Sequence, residues 1–164
     1  MKTLKSSGAP LVCWDIYGSF MKDQTNLINK QNDLEVLSYL KKLNRWKTDI
    51  HSIVDQVHYD ALVLTDTKQE IKWISKGFKQ MTGYSIKNTI GRKPKFLQGK
   101  DTCPTTLNFI RRMLREQVPF SAKLTNYRKN GEAYHCQINV IPLKNNQNRT
   151  THFIALENET QYNR

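Results

Sequence analysis

The residues best able to do chemistry in this chain do not form a catalytic or metal-binding pattern. The three cysteines lie far apart, at positions 13, 103 and 136, which argues against a disulfide framework or a zinc site. The four histidines also lack metal-ligand spacing: His51, His58, His135 and His152. The sequence shows no nucleophile-base motif and no phosphate-binding glycine loop. We therefore expect a binding protein rather than an enzyme.

Positive charge is concentrated in the second part of the chain. Residues 61–164 carry eighteen Lys and Arg against seven Asp and Glu, whereas residues 1–60 carry eight against seven. The excess is densest between Lys68 and Arg115. Such a basic surface can attract nucleic acid, an acidic partner or an anionic ligand, or it can be a solvated surface that keeps the protein soluble.

The sequence predicts no insertion into a membrane. No uninterrupted apolar run approaches the roughly 20 residues that a bilayer span needs. Asp15 also interrupts the apolar stretch near the N-terminus, so we expect no signal peptide. Few and scattered cysteines are typical of a reducing compartment. The chain of 164 residues is long enough for one domain plus an appended segment, and we expect it in the cytoplasm.

Residues 58–160 predict a domain of the α/β (α+β) class. Alternating apolar residues and turn sequences predict two strands, then short helices, one longer helix and three more strands. The predicted strands are 61–65, 71–74, 120–128, 133–143 and 151–157. The predicted helices lie near 76–81, 86–90 and Phe96, and the longer one begins at Pro104 with Leu107, Ile110, Met113 and Leu114 on one face.

Residues 1–57 predict a helical extension. It starts with an apolar and aromatic stretch, namely Leu11, Val12, Trp14, Ile16, Tyr17 and Phe20. A helix then carries an apolar stripe at helical spacing, formed by Val36, Tyr39, Leu40, Leu43 and Trp46. Thr48 is predicted to cap a second, short helix with Ile50, Ile53, Val54 and Val57. These helices can either cover the sheet of their own chain or form a dimer element.

Five local motifs resemble a known family, in the same order and spacing. They are Val63-Leu64-Thr65-Asp66, Phe78 through Thr82-Gly83-Tyr84-Ser85, Gly91-Arg92-Lys93-Pro94-Lys95-Phe96-Leu97-Gln98-Gly99, Asn126-Tyr127-Arg128-Lys129-Asn130-Gly131 and Phe153-Ile154-Ala155-Leu156. Residues 61–158 thereby resemble the LOV branch of the PAS domains, which are flavin-binding blue-light sensors. The resemblance implies a five-stranded antiparallel sheet with helices packed on one face over a ligand pocket.

The resemblance also implies which residues would hold a ligand. In LOV domains a glutamine and basic residues hold the ribityl and phosphate groups of the flavin. The matching positions here are Gln98, Lys95 and Arg111. A lysine at position 95 keeps the charge of the family's arginine but loses its two-pronged geometry. This chain therefore retains the residue types for an anionic group.

The positions that would surround the flavin ring depart from the family. Pro94 stands where LOV domains carry the photoactive cysteine. Of four amides, Asn126 is kept, whereas Lys93, Cys136 and Glu157 replace the others. An ionised Glu157 only accepts hydrogen bonds, so it would be repelled by the acceptor atoms N5 and O4 of oxidised flavin. Binding of FMN is thus expected to be possible but weakened.

Three functions follow as hypotheses. We favour a PAS-type sensory module that does not respond to light and acts through a small ligand or through protein contacts. The alternatives are an FMN-binding photoreceptor or redox sensor without a cysteinyl adduct, and a basic protein that associates with nucleic acid. We expect a homodimer that depends on residues 25–57. The sequence does not identify the downstream partner.

Overall fold

The computed structural model describes the backbone of residues 10–161, and the side chains of residues 18–161 except residue 23. Side chains of the predicted apolar start at positions 11–17 lie outside these described residues. The four α-helices are α1 (Pro10–Asn44), α2 (Ile50–Gln56), α3 (Lys76–Thr82) and α4 (Pro104–Glu116), and two 3-10 helices are Ile86–Asn88 and Pro94–Leu97. The strands are β1 (Ala61–Asp66), β2 (Ile71–Ile74), β3 (Phe120–Tyr127), β4 (Ala133–Lys144) and β5 (Thr150–Thr160).

The strands form one antiparallel sheet in the order β2-β1-β5-β4-β3, which confirms the predicted fold. The last strand of the chain, β5, lies at the centre of the sheet. Ala155 of β5 is paired with Val63 of β1 on one side and with Val140 of β4 on the other. Because side chains alternate along a strand, Phe153, Ala155 and Glu157 share one face of this central strand.

One face of the sheet is covered by the helices between β2 and β3. Phe78 of α3 is fully buried there, and Leu97 of the second 3-10 helix packs into the same apolar cluster. Leu107 and Ile110 of α4 pack against it. Gly83 ends α3 in the left-handed conformation, with φ of 77°, so the chain can turn back over the sheet. This face contains the candidate site.

The opposite face is covered by α1 and α2. Leu37 of α1, together with Ile50 and Val54 of α2, packs against the strand residues Leu62 and Ile154. The helices of the predicted extension therefore cover the sheet of their own chain. The division of the chain at residues 57 and 58 into two domains stays a prediction, because the extension and the sheet share this apolar cluster.

Two details of the predicted extension are wrong. The cap of α2 is Asp49 instead of Thr48, because the Asp49 carboxylate accepts a hydrogen bond from the Ser52 amide at 3.3 Å. Trp46 lies beyond the end of α1, in a bridge to Asn145, and its indole donates to Thr151. Trp46 thus packs against the sheet from a loop.

The predicted apolar stripe of α1 lies largely outside the core. Tyr39 and Leu43 are 66% and 65% exposed, and Val36 is also exposed. The side that packs on the sheet is instead marked by Leu37 and Asp33, which are buried. Although α1 is 35 residues long, no helix within the described part of the chain is long and apolar enough to cross a membrane.

Candidate functional site

The candidate site begins with the segment from Gly91 to Gly99, whose start is tied to strand β2. The amide of Gly91 donates to the carbonyl of Ile71 at 2.8 Å, and the amide of Ile71 donates to the carbonyl of Arg92 at 2.9 Å. Gly91 has φ of 81°, a left-handed conformation that favours glycine. This reciprocal pairing places the following 3-10 helix over the sheet.

The end of the same segment is tied to strand β3. The Gly99 amide donates to the Thr102 hydroxyl at 3.0 Å, and this hydroxyl donates to the Thr125 carbonyl at 2.6 Å. A Cβ atom at Gly99 would lie 2.3 Å from the ring of Tyr127, so the close approach requires glycine. The segment is therefore held at both ends, and the residues between them form one side of a cavity.

The cavity has a volume of about 190 Å³ and lies between the sheet, the second 3-10 helix and α4. The sheet contributes alternating residues of β1, β3, β4 and β5, and α4 contributes one apolar side. The apolar residues of the wall are Val63, Leu97, Leu107, Ile110, Leu114, Phe120, Leu124, Ile138, Val140, Phe153 and Ala155. Of the α4 face predicted from sequence, Leu107, Ile110 and Leu114 line the cavity, whereas Met113 does not.

Seven of the eight predicted site residues line this cavity. They are Lys93, Pro94, Lys95, Gln98, Arg111, Asn126 and Glu157. The eighth, Cys136, is fully buried in the apolar cluster on the same face of the sheet, but it is not part of the cavity lining. Burial raises the pKa of the Cys136 thiol, which keeps the thiol protonated. The assignment of these residues to cofactor binding stays a prediction.

Two buried acceptor atoms in the cavity lining lack a hydrogen-bond partner. Asn126 and Glu157 are 4% and 6% exposed, and their atoms Oδ1 and Oε2 are both without a donor. Burial raises the pKa of Glu157 to about 7. A buried acceptor without a donor costs about 1–3 kcal/mol, so a ligand that supplies donors would recover free energy here.

The charged part of the lining lies at the surface. Lys93, Lys95 and Arg111 are exposed, whereas Gln98 and Pro94 are half-buried. The Arg111 guanidinium donates to the Asn108 side chain at 2.9 Å, which holds it on α4. We name Lys93, Lys95 and Arg111 the cationic rim. The cavity is thus apolar along its walls, with cations at the surface and two acceptors in the interior.

The sequence did not indicate all of the polar residues in this lining. Thr65, at the end of β1, and Gln69, in the turn that follows, also line the cavity. Gln69 has a left-handed φ of 66°. The turn sequence gave no sign that this side chain reaches the cavity, since that position depends on how the turn folds over the sheet.

A second recess, of about 770 Å³, lies between α1, residues 57–60 and α3. Its buried carboxylate, Asp33, accepts a hydrogen bond from the Tyr59 hydroxyl at 3.2 Å. Burial raises the pKa of Asp33 to about 6, against the lowering effect of that hydrogen bond. Because Asp33 has a donor, this recess does not present the unsatisfied acceptors found in the smaller cavity.

Among residues 18–161 with described side chains, no group of three or more His, Cys, Asp or Glu is placed to hold a metal ion.

Most of the folded region is similar to a known protein family. A family model described as the PAS domain matches residues 60–161. Phototropin-1A of Oryza sativa subsp. japonica is 33% identical over 95 residues, which are 58% of this chain and 10% of the relative. A blue-light-activated histidine kinase of Brucella canis is 31% identical over 85 residues, which are 52% of this chain and 17% of the relative. The chain thus spans a small part of these relatives.

Solved structures of LOV domains share the fold. The dark structure of the blue-light photoreceptor Aureochrome1 LOV superposes with a TM-score of 0.65 at 25% identity, covering 70% of this chain and 85% of that one. The LOV domain of the Erythrobacter litoralis EL346 blue-light-activated histidine kinase gives a TM-score of 0.60 at 25% identity. The superposed region covers 65% of this chain and 99% of the chain of that LOV domain. These structural relatives are sensor domains.

Proposed function

Because the chain is a sensory module of the PAS domain family and belongs to its LOV-like branch, we propose that it responds to a ligand in the cavity and not to light. In this proposal it has no catalytic activity of its own and acts in the cytoplasm through protein contacts. The observation that carries the proposal is that Pro94 lines the cavity, because the sequence resemblance matches Pro94 to the family's photoactive cysteine. Proline has no group that can attack a flavin.

The two described cysteines do not compensate for Pro94. Cys103 is exposed at the start of α4, and Cys136 is buried in the apolar cluster. Neither lines the cavity. Hydrogen bonds from the first turn of α4, chiefly from the Thr106 amide, lower the pKa of Cys103, but a reactive thiol outside the cavity has no access to a ligand within it.

Blue light is expected to produce no thiol adduct in this protein. The full chain is illuminated in excess FMN, and the flavin absorbance is followed in the light and after return to darkness. We expect no reversible bleaching. The matched control is Pro94→Cys, which restores a thiol in the cavity and should gain reversible bleaching. A wild-type chain that bleaches and recovers in the dark would refute the proposed insensitivity to light.

Non-covalent binding of FMN is the second candidate function. It is favoured by Lys95, Gln98, Arg111 and Asn126, which all line the cavity, and by the relatives named for blue-light activation. The residues present fit the phosphate of FMN better than its ring. The cationic rim supplies charge for the phosphate, whereas Glu157 places an acceptor in a pocket whose family ligand also presents acceptors. A bound flavin would supply redox chemistry, and the chain's own residues would set its affinity.

We also propose a homodimer formed through exposed residues of α1. Met21, Ile28, Val36, Tyr39 and Leu43 are exposed apolar residues spaced seven, eight, three and four positions apart. This spacing places them along one side of the helix, which we name the α1 apolar face. The opposite side of α1 already packs on the sheet through Leu37. A second α1 helix would remove the α1 apolar face from water.

The double substitution Tyr39→Glu and Leu43→Glu is expected to convert the homodimer into a monomer. Two carboxylates on the α1 apolar face would have to be desolvated in a helix pair, while in the monomer they stay exposed. Light scattering measures the mass, and thermal unfolding checks that the fold is retained. The control, Gln31→Glu with Lys42→Glu, adds acid at exposed positions outside this face and should leave the dimer intact.

Substitution is a cleaner test than deletion of residues 25–57, because deletion would also remove Leu37, Ile50 and Val54 from the core. A wild-type chain that is monomeric at high concentration would contradict the proposed dimer. So would a double variant with unchanged mass, because the α1 apolar face would then have no part in the assembly.

A further inference from the structure

The polar groups in the interior of the cavity favour a ligand that donates hydrogen bonds. Oδ1 of Asn126 and Oε2 of Glu157 are acceptors, both side chains are more than nine-tenths buried, and neither atom has a partner. The Tyr134 hydroxyl lies beside the Asn126 side chain, but neither that hydroxyl nor Asn126 Oδ1 has a hydrogen-bond partner. A ligand that brought only acceptors would leave Asn126 Oδ1 unsatisfied and would be repelled by ionised Glu157.

The size of the cavity limits what can enter without rearrangement. Its volume is about 190 Å³, whereas pockets for drug-sized ligands occupy roughly 300–1,000 Å³. Its walls are apolar on the helix side and on the sheet side: Ile110 and Leu114 belong to α4, whereas Ile138 and Val140 belong to β4. The body of the ligand is therefore small and apolar.

The cationic rim defines the other end of the ligand. Lys93, Lys95 and Arg111 all line the cavity and are all exposed. The one acidic residue in the cavity lining is Glu157, which is buried. An anionic head group is attracted to this rim and stays in contact with water, so its desolvation is incomplete.

We infer that the cavity binds a small amphipathic anion, with its charged head at the cationic rim and a hydroxyl or N–H donor at the opposite end, paired with Asn126 and Glu157. The inference rests on the proposed function, in which the cavity is the sensing site, and it adds the class of ligand. Neutral Glu157 can accept through one oxygen, and ionised Glu157 accepts more strongly, so a donor is suited to both forms.

The test uses matched probes that differ only at the end away from the charge. Octanoate, 8-hydroxyoctanoate and 8-methoxyoctanoate are titrated into the full chain, with the corresponding monophosphates in parallel. Affinity is measured by calorimetry, and the site is identified from methyl shifts of Ile110, Leu124 and Val140. In the head-group series that binds more tightly, the hydroxyl probe should bind about tenfold more tightly than the alkyl and methoxy probes, as expected for one net hydrogen bond.

Variants connect this preference to the named atoms. Glu157→Leu should bring the hydroxyl and alkyl probes to within about twofold of each other while octanoate still binds, and Asn126→Leu provides the same test if the first variant fails to fold. Arg115→Ala, an exposed arginine of α4 outside the cavity lining, should leave every affinity unchanged. Arg111→Ala should weaken all probes alike.

Failure of the inferred ligand class and failure of the proposed sensing cavity give different results. Alkyl probes that shift the cavity methyls without any advantage for the hydroxyl would overturn the donor end of the ligand and leave the cavity as a binding site. Probes that shift no cavity methyl, or that bind only elsewhere, would overturn both this inference and the proposed sensing cavity.

Discussion

Glu157→Gln is expected to stabilise the protein by roughly 3 kcal/mol at pH 8 and by much less at pH 4. Burial raises the pKa of Glu157 from 4.5 to about 7, and each pKa unit corresponds to about 1.4 kcal/mol between the two protonation states. Glutamine stays neutral at every pH, so the folded variant never has to hold a buried charge.

The direction of this pH dependence follows from whether the folded or the unfolded state binds the proton of Glu157. Between pH 4.5 and 7 the folded state holds the proton of Glu157 while the unfolded state has lost it. The contribution of Glu157 to the free energy of unfolding is therefore fully present below about pH 4.5, and it is lost as the pH rises through about 7. Asp33 adds a loss of the same sign, since its pKa is raised from 3.8 to about 6. It is present in both proteins and cancels in their difference.

Chemical denaturation from pH 4 to pH 8 measures this difference. The matched control is Glu159→Gln, two residues further along β5. Glu159 is exposed and pairs with Arg128 at 2.6 Å, so its loss should cost less than about 1 kcal/mol. Parallel stability curves for the wild type and Glu157→Gln would show that Glu157 does not titrate as a buried carboxyl.

The second large effect concerns the cationic rim. FMN and riboflavin differ by one phosphate, so FMN should bind about 10- to 100-fold more tightly if Lys95 and Arg111 contact that phosphate, as expected for hydrogen bonds to charged groups. Arg111→Ala should remove most of this preference and leave riboflavin unaffected. Entry of either flavin requires the cavity to open beyond its 190 Å³.

Fluorescence titration of both flavins measures the preference, with Arg115→Ala as the control. Added salt should weaken FMN more than riboflavin, because the rim is exposed and its charges are screened. Equal affinities for FMN and riboflavin in the wild type would mean that the rim does not hold phosphate.

The strands and the candidate site could be predicted because their signals are local. The alternation of apolar and polar residues predicted the bounds of β1 to β5 to within a few residues. Of the site residues predicted from the motifs, seven line one cavity. The two glycines of the Gly91 to Gly99 segment have clear structural roles. Gly91 has a left-handed backbone, and Gly99 allows the close approach to Tyr127.

The N-terminal region was less predictable because its packing depends on distant residues. Apolar spacing pointed to Tyr39 and Leu43, but the sheet packs against Leu37 and leaves those two exposed. Asp33 is buried because Tyr59, 26 positions along the chain, supplies its donor. Nothing in the sequence near Asp33 indicates this. Likewise Cys136 is on the expected face of the sheet, but it belongs to the buried apolar cluster and is not part of the cavity lining.

Occupancy of the cavity tests directly whether this protein senses a ligand there. Native mass spectrometry of the full chain, in excess FMN and separately in excess 8-hydroxyoctanoate, counts the molecules bound per chain. Ala155→Trp, on the central strand between Val63 and Val140, fills the cavity and serves as the comparison. We expect one bound molecule of at least one of these probes per wild-type chain and none in the folded variant. No binding of either probe, or equal binding in both proteins, would contradict it.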